Sequence, residues 1–408
     1  MTNITEFIQR HLLRLMLVLQ LAWLLGAWLT GAAPQPDKLI ALAIYSLLAA
    51  IVVENWPSAA SAWLGPWAER LRHEKNFLLL LVAGVLVTAV FYARVQHVWP
   101  FDEEYSFKAA TLVAQGGVRA LLQGYSQLPW LGTQHPPLMM ILYGGALRLL
   151  GGDLLAMRLV AVLFGVGLVC LTYLIGRELF DEPVGRLAAL SLLTFPLILR
   201  QAAAAMTDVP VTFFFSLVIW LMLRLRKRPS YRLTFLTALV IGIGVLTKYT
   251  MVFIYPVLLG FLIVSPQIRQ RARYWLILIL LPTLPVLLWV VYAYWAGILW
   301  SQITTLASYA ALMATNDLVR RFALETFVTR LPSALGPYNL PLFVVGGWLV
   351  YRRRREADRL LLVWIGVVWL LLTVTLPDHR YFMLSFPALA VVMAQGLQGL
   401  TAQKERGN

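Results

Sequence analysis

Leu138-Met-Met-Ile-Leu-Tyr-Gly-Gly-Ala-Leu-Arg-Leu149 sets the topology of the whole chain. The stretch is apolar except for Arg148, yet too short for a bilayer span, which takes about 20 residues. Suppose it does span. Then Arg177–Arg186, Arg224–Arg232 (RLRKRPSYR), Arg269–Arg273 (RQRAR) and Arg352–Arg355 (RRRR) all fall outside. That inverts, in four successive loops, the usual concentration of Lys and Arg on the cytoplasmic side. If it lies instead in the plane of the interface, all four basic loops face the cytoplasm. So do Arg70–Lys75 (RLRHEK), the N-terminus and the C-terminus. Charge supports the second arrangement.

Composition puts the rest of the chain in lipid. Of 408 residues 60% are hydrophobic and 13% charged, whereas a soluble domain is nearer half apolar and a quarter charged. Apolar runs of spanning or near-spanning length cover Leu12–Gly31, Lys38–Glu54, Phe77–Val95, Leu159–Gly176, Gly185–Leu199, Val209–Leu223, Thr234–Thr247, Met251–Val264, Tyr274–Ile298, Leu340–Tyr351, Leu360–Leu376 and Tyr381–Leu397. The expectation is an all-α integral membrane protein of about 12 transmembrane helices, with a helical outer loop in the interface. The first run is long for the apolar core of a signal peptide and reads as a span. The chain divides into a two-span extension with its cytoplasmic loop (1–76), a transmembrane domain (77–400) carrying the outer loop 96–158, and a cytoplasmic tail (401–408). The net charge of +15 sits in short loops between apolar runs. It reads as membrane topology and not as a nucleic-acid surface. Cys170 is the single cysteine, inside an apolar run, which excludes a disulfide framework and a cysteine metal site.

The non-cytoplasmic face then holds the long loop, a short loop at Arg200–Asp208, a segment around Trp300–Asn339, and tight turns at Lys248 and Asp378–Arg380. Within the long loop Asp102–Gln115 reads as an amphipathic helix, N-capped by Asp102 and stopped by Gly116 and Gly117. Asp102, Glu103 and Glu104 follow Trp99-Pro100-Phe101 at the membrane lip. A carboxylate in that lowered dielectric gains proton affinity, as a general base requires. The same acids also complement a helix dipole, and Glu104 is spaced to pair with Lys108. Asp208, in Met206-Thr-Asp-Val-Pro210, shares this face; with Asp102 it offers oxygen ligands for a divalent metal, or it opens the next helix. Lys248, His379 and Arg380 are cations in outer turns, suited to an anionic headgroup such as phosphate or to snorkelling. Arg94 and Arg200 are weaker candidates. His135, before Pro136 and Pro137, is a donor or an ordinary hydrogen-bonded histidine. There is no GxGxxG or GxxxxGK[ST] nucleotide loop, HExxH or GxSxG.

In order along the chain come Asp102-Glu103, a helix ending in Gly-Gly, His135-Pro-Pro-Leu138, Arg158-Leu-Val-Ala-Val-Leu-Phe-Gly165, Gly176-Arg-Glu-Leu-Phe180, Thr207-Asp-Val-Pro210, Leu246-Thr-Lys-Tyr249 and Arg380-Tyr381. This series resembles the GT-C superfamily of integral membrane glycosyltransferases. Within it the chain is most similar to the branch of protein O-mannosyltransferases and lipid A aminoarabinose transferases. The resemblance covers roughly 95–400. It implies a polyprenyl-phosphate sugar donor, a lipid, glycan or protein acceptor, and inverting transfer to an acceptor hydroxyl on the outer face of the cell (inner) membrane. It implies Asp102 as base, Glu103 assisting or orienting it, and Asp208 as second acid. Lys248, His135 and Arg380 face the donor phosphate, with Tyr249, His379 and Tyr381 in the same substrate-binding motifs. Where the reaction is metal-dependent, Mg²⁺ or Mn²⁺ would sit on Asp102 and Asp208. The competing reading is a polytopic transporter or lipid flippase, whose ionisable groups would lie between repeats at mid-membrane.

Overall fold

The computed structural model describes residues 74–99, 101–128, 135–269, 272–305, 308, 317–375 and 378–407. The expected spans Leu12–Gly31 and Lys38–Glu54 lie outside these residues, as does most of the 1–76 segment.

The described secondary structure is helical throughout. Helix α1 (Glu74–Val95) leads to α2 (Asp102–Gly124) and α3 (Leu138–Leu150). Then come α4 (Leu154–Leu179), α5 (Glu182–Leu193), α6 (Pro196–Ala202), α7 (Asp208–Lys227) and α8 (Tyr231–Thr247). A 3₁₀ turn at Tyr249–Phe253 runs into α9 (Ile254–Val264). Further on stand α10 (Leu340–Arg353), α11 (Glu356–Val374), a 3₁₀ turn at Tyr381–Ser385 and α12 (Phe386–Gly407).

Among the described residues six helical stretches are long and apolar enough to cross a bilayer: Glu74–Val95, Leu154–Leu179, Asp208–Lys227, Tyr274–Trp295, Glu356–Val374 and Tyr381–Gln398. The protein is therefore a multi-pass membrane protein. The six coincide with six of the expected spans; of the other expected runs, Leu12–Gly31 and Lys38–Glu54 lie outside the described residues. The run Gly185–Leu199 is not one rod: α5 and α6 meet at 75°. Pro196 opens α6, where its missing N–H costs no helical bond. The runs ending at Thr247 and Val264 form helices shorter than a full span.

The outer loop also departs from expectation. The expected stop at Gly116-Gly117 is a break: Gly117 takes the non-helical φ 71°, ψ −171°, and a second helical segment follows directly and runs to Gly124. The residue before the helix is Phe101, so Asp102 is the first helical residue and not its cap. α3 has the expected short extent of 13 residues and packs on α2. A Cβ on Gly144 would lie 2.3 Å from the Val113 Cβ, so only glycine permits this approach. Glycines likewise bring α10 against α12: a Cβ on Gly346 would fall 2.1 Å from the Val392 carbonyl oxygen. Close backbone packing of this kind drives helix association in lipid, where the hydrophobic effect does not. Exposed Leu79, Leu80, Val87 and Phe91 on α1 and Leu163 on α4 give these spans their lipid-facing surface.

The two ends of the bundle differ in charge. The 20 residues of α7 measure about 30 Å at about 1.5 Å each, the thickness of a hydrocarbon core. The helix begins at Asp208 and ends in Arg224, Arg226 and Lys227. At this basic end Arg177 pairs with Glu74, Lys227 with Glu178 at 3.0 Å and Arg226 with Glu356 at 3.2 Å. The ends of α1, α4, α7 and α11 are thus tied together. The acidic and cationic site candidates all belong to the opposite end, as the charge pattern requires.

Candidate active site

At the end away from the basic loops, α2, the α6–α7 loop, the turn after α8 and the turn before α12 converge. Their residues Asp102, Ser106, His135, Met206, Thr207, Asp208, Lys248, Arg380 and Tyr381 line a cavity of about 20 Å³. That is room for little more than one water. The site is closed on its own charges: Lys248 Nζ donates to Asp208 Oδ1 at 2.7 Å, and Arg380 Nη1 donates to Asp102 Oδ2.

Asp102 is placed by its neighbours in the chain. Phe101 sits at φ 66°, ψ −66°, the strained form of the γ-turn; such strain gathers at functional sites. The next residue, Glu103, is fully buried and does not line the cavity. Its Oε1 accepts from Arg158 Nε at 2.8 Å and from the Ala205 amide at 2.8 Å. Its Oε2 accepts from Arg158 Nη2 at 2.7 Å and from the Trp99 amide at 3.2 Å. Arg158 also donates to the carbonyls of Ala93 (2.7 Å), Gln96 (3.1 Å) and His97 (3.2 Å). The pair therefore clamps the end of α1, the start of α2 and the α6–α7 loop to α4. The contact with Ala205 brings Asp208 beside Asp102. Tyr143 reinforces it by donating to the Met206 carbonyl at 2.5 Å.

Arg380 is held from its own turn. Asp378 Oδ1 accepts from the Arg380 amide at 2.9 Å, and Oδ2 accepts from Nη2 at 3.0 Å. Burial works against ionising Asp378, but the His379 hydrogen bond and the Arg380 charge hold its carboxyl well below the usual range. Burial likewise works against the Arg380 cation, and Asp208, Asp378 and Asp102 together overcome it. Lys248 Nζ lies 4.3 Å above the Tyr381 ring. On Asp102, burial raises the proton affinity, the Arg380 charge opposes it, and nearby Asp208 adds to it.

His135 enters the cavity as a neutral group. Burial, with Lys248 and Arg380 nearby, pushes its pKa down to about 3. It can donate one hydrogen bond to a phosphate but adds no charge. Tyr249 is not part of the cluster. Its hydroxyl donates to Gln302 Oε1 at 2.9 Å and accepts from Trp289 Nε1 at 2.8 Å. His379 points elsewhere as well, with Arg200, Arg330 and Ser333, into a neighbouring cavity of about 300 Å³. Neither Arg158 nor Asp378 stood out in the sequence as a site residue.

The two carboxylates expected to hold a metal where the reaction needs one are otherwise engaged in this structure. Asp102 and Asp208 are each spent on a cation, and among the described residues no three of His, Cys, Asp or Glu come together.

Residues 134–289 match the sequence profile of the family described as dolichyl-phosphate-mannose-protein mannosyltransferase. The structure resembles the crystal structure of ArnT from Cupriavidus metallidurans bound to undecaprenyl phosphate, at TM-score 0.57 and 16% identity, covering 82% of this chain and 62% of that one. The chain has the GT-C membrane fold. The Archaeoglobus fulgidus oligosaccharyltransferase in complex with Zn and sulfate shares this GT-C fold at TM-score 0.52 and 15% identity, over 79% of this chain and 50% of that chain. An uncharacterized protein of Aquifex aeolicus is 24% identical over 346 residues, 81% of this chain and 65% of the relative. The chain thus spans less than two thirds of the length of each of these relatives. In this GT-C fold the profile match takes in His135, Met206, Thr207, Asp208 and Lys248, so five cavity residues lie inside it.

Proposed function

We propose that the protein is a membrane glycosyltransferase moving a sugar from a polyprenyl-phosphate donor to an acceptor hydroxyl, with its site on the extracytoplasmic face of the cell membrane. The observation that carries this reading is the meeting of Asp102, Asp208, Lys248 and Arg380, drawn from four separate parts of the chain, in one pocket at the end opposite the basic loops. The profile match and the GT-C fold support it. ArnT was crystallised with undecaprenyl phosphate, the kind of lipid phosphate proposed here as leaving group.

The chemistry follows from the charges. The acceptor oxygen forms a bond to the anomeric carbon while the bond from that carbon to the phosphate oxygen breaks. The electron pair departs with the phosphate, and Asp102 takes the hydroxyl proton. In-line attack inverts the anomeric carbon. Lys248 and Arg380 stabilise the charge growing on the phosphate. Because those cations are paired with Asp208 and Asp102, a phosphate entering the pocket competes for them. Withdrawal of Arg380 toward the donor frees Asp102 to act as base. Glu103 acts through position, by holding Asp102 and the Asp208 loop in register. The segment 77–400 carries this machinery, and both termini lie in the cytoplasm.

A transporter or flippase is not favoured, since the charged groups lie at helix ends on one side of the bundle and not at mid-membrane. The test is incubation of the purified protein with a panel of polyprenyl-phosphate sugars and candidate acceptors. Acceptor-dependent release of free polyprenyl phosphate is the expected result. Counterflow in proteoliposomes lacking any donor lipid would favour the transporter instead.

A further inference from the structure

At the basic end, a second polar cavity opens between α4, α7, α10, α11 and α12. Its volume is about 370 Å³, within the range of small-molecule sites, about 300–1,000 Å³. The polar side chains around it include Arg226, Arg353, Arg355, Gln395, Asp181 and Glu356.

Both acids are already engaged. Asp181 accepts from the Val184 amide at 2.9 Å and from Gln398 Nε2 at 3.0 Å. Glu356 accepts from Ser265 and pairs with Arg226 at 3.2 Å. The donors are in surplus. Gln395 is 1% exposed, and its carbonyl oxygen is taken by Arg353 Nη2, but its Nε2 has no partner among the described residues. Arg353 Nε is buried and equally without a partner there. Arg353 is fixed from two further sides, by Asp358 at 3.2 Å and by the Phe180 ring at 6.0 Å. Unsatisfied buried donors are costly, and these two, with Arg226 and Arg355 beside them, call for acceptor oxygens carrying negative charge.

We propose that this cavity binds an anionic phosphate group, as the headgroup of an acidic phospholipid or as free phosphate. Basic pockets between membrane helices are a recurring form of headgroup site. Here Gln395 Nε2 and Arg353 Nε donate to the phosphate oxygens, and Arg355 supplies the charge together with Arg226, which is shared with Glu356. The site lies at the opposite end of α7 from Asp208 and takes no part in transfer chemistry. It would fasten α10, α11 and α12 to α4 and α7 at the leaflet that faces the basic loops.

The experiment uses the full chain, delipidated in a neutral detergent. It is titrated with phosphatidylglycerol, with phosphatidylcholine and with inorganic phosphate. Bound lipid is counted by native mass spectrometry, and the melting temperature is followed in every arm. Phosphatidylglycerol is expected to bind and stabilise in preference to phosphatidylcholine. A headgroup site leaves inorganic phosphate without effect, whereas a free-anion site gives stabilisation by phosphate as well. Arg355→Gln should weaken binding about fivefold, and Gln395→Leu should weaken it without changing charge. Arg352→Gln removes the same charge next to the cavity without lining it and should leave binding within twofold. Equal binding of the two lipids with no effect of phosphate overturns the proposal. So does an equal loss in Arg355→Gln and Arg352→Gln, which would mean a diffuse surface attraction.

Discussion

Exchange of Glu103 for Gln separates a positioning role from a chemical one. Glu103 is fully buried and Arg158 is 4% exposed, joined by two hydrogen bonds at 2.7 and 2.8 Å. Removing one member of such a pair leaves an uncompensated buried charge, at a cost of about 3–5 kcal/mol. Arg158 keeps its three backbone carbonyl partners, which points to the lower figure, about 3 kcal/mol. That is about two orders of magnitude in the ratio of folded to unfolded protein. The assay is thermal unfolding in detergent, followed by tryptophan fluorescence, on Glu103→Gln, Arg158→Met and the double variant. Both single variants should melt well below the parent. The double variant should regain part of the loss, because the two residues share one interaction. Loss of transfer in the single variants should track loss of folded protein. If Glu103→Gln melts like the parent while its turnover drops more than a hundredfold, the clamp interpretation is wrong and Glu103 belongs to the chemistry.

Other expectations follow from the same contacts. The acid limb of the transfer rate should lie above the ordinary carboxylate value of about 3.9. Asp102 must be deprotonated to act, and burial raises its pKa, so a limb at or below that value counts against Asp102 as base. The double variant Lys248→Met with Asp208→Asn, which removes both members of the buried pair, should lower transfer about 10²–10³-fold; full activity would remove Lys248 from the phosphate site. Gly346→Ala places a Cβ 2.1 Å from the Val392 carbonyl and should destabilise by about 1–3 kcal/mol. Gly347→Ala, which meets nothing within 4 Å, should melt like the parent, and equal melting of both variants would deny the close α10–α12 contact.

Much of this molecule was legible from apolar run length and loop charge, because a bilayer imposes both. The reading of 138–149 as too short to span, forced by the charge of four loops, agrees with a 13-residue α3 and with a site at the end remote from the arginines. Asp102, Asp208, Lys248 and Arg380 were visible because a charge at the end of an apolar run is rare. The bend at Pro196 was not, since both flanking segments are apolar and hydropathy does not register direction. Gly116-Gly117 marked the break in α2, but the helical segment that follows it to Gly124 was not legible, because a Gly pair ends a helix or kinks it with the same residues. Arg158 escaped notice as the partner of Glu103: the two stand 55 residues apart, and only the fold, with α3 packed against both α2 and α4, joins them. Tyr249 carried the right motif, yet its hydroxyl turned toward Trp289 and Gln302, where a half-buried phenol finds its hydrogen bonds. Asp378 lay in plain view beside His379 and Arg380. An acid next to two cations reads as a local surface pair, and its role in aiming Arg380 comes only from the fold of the turn.

Asp102→Asn keeps the size of the side chain and an oxygen for Arg380 while removing the base. With a polyprenyl-phosphate sugar and an acceptor both present, release of polyprenyl phosphate by this variant should fall about 10²–10⁴-fold, with donor binding and melting temperature held near those of the parent. Release at the parent rate would contradict the assignment of this pocket as the place where the acceptor loses its proton.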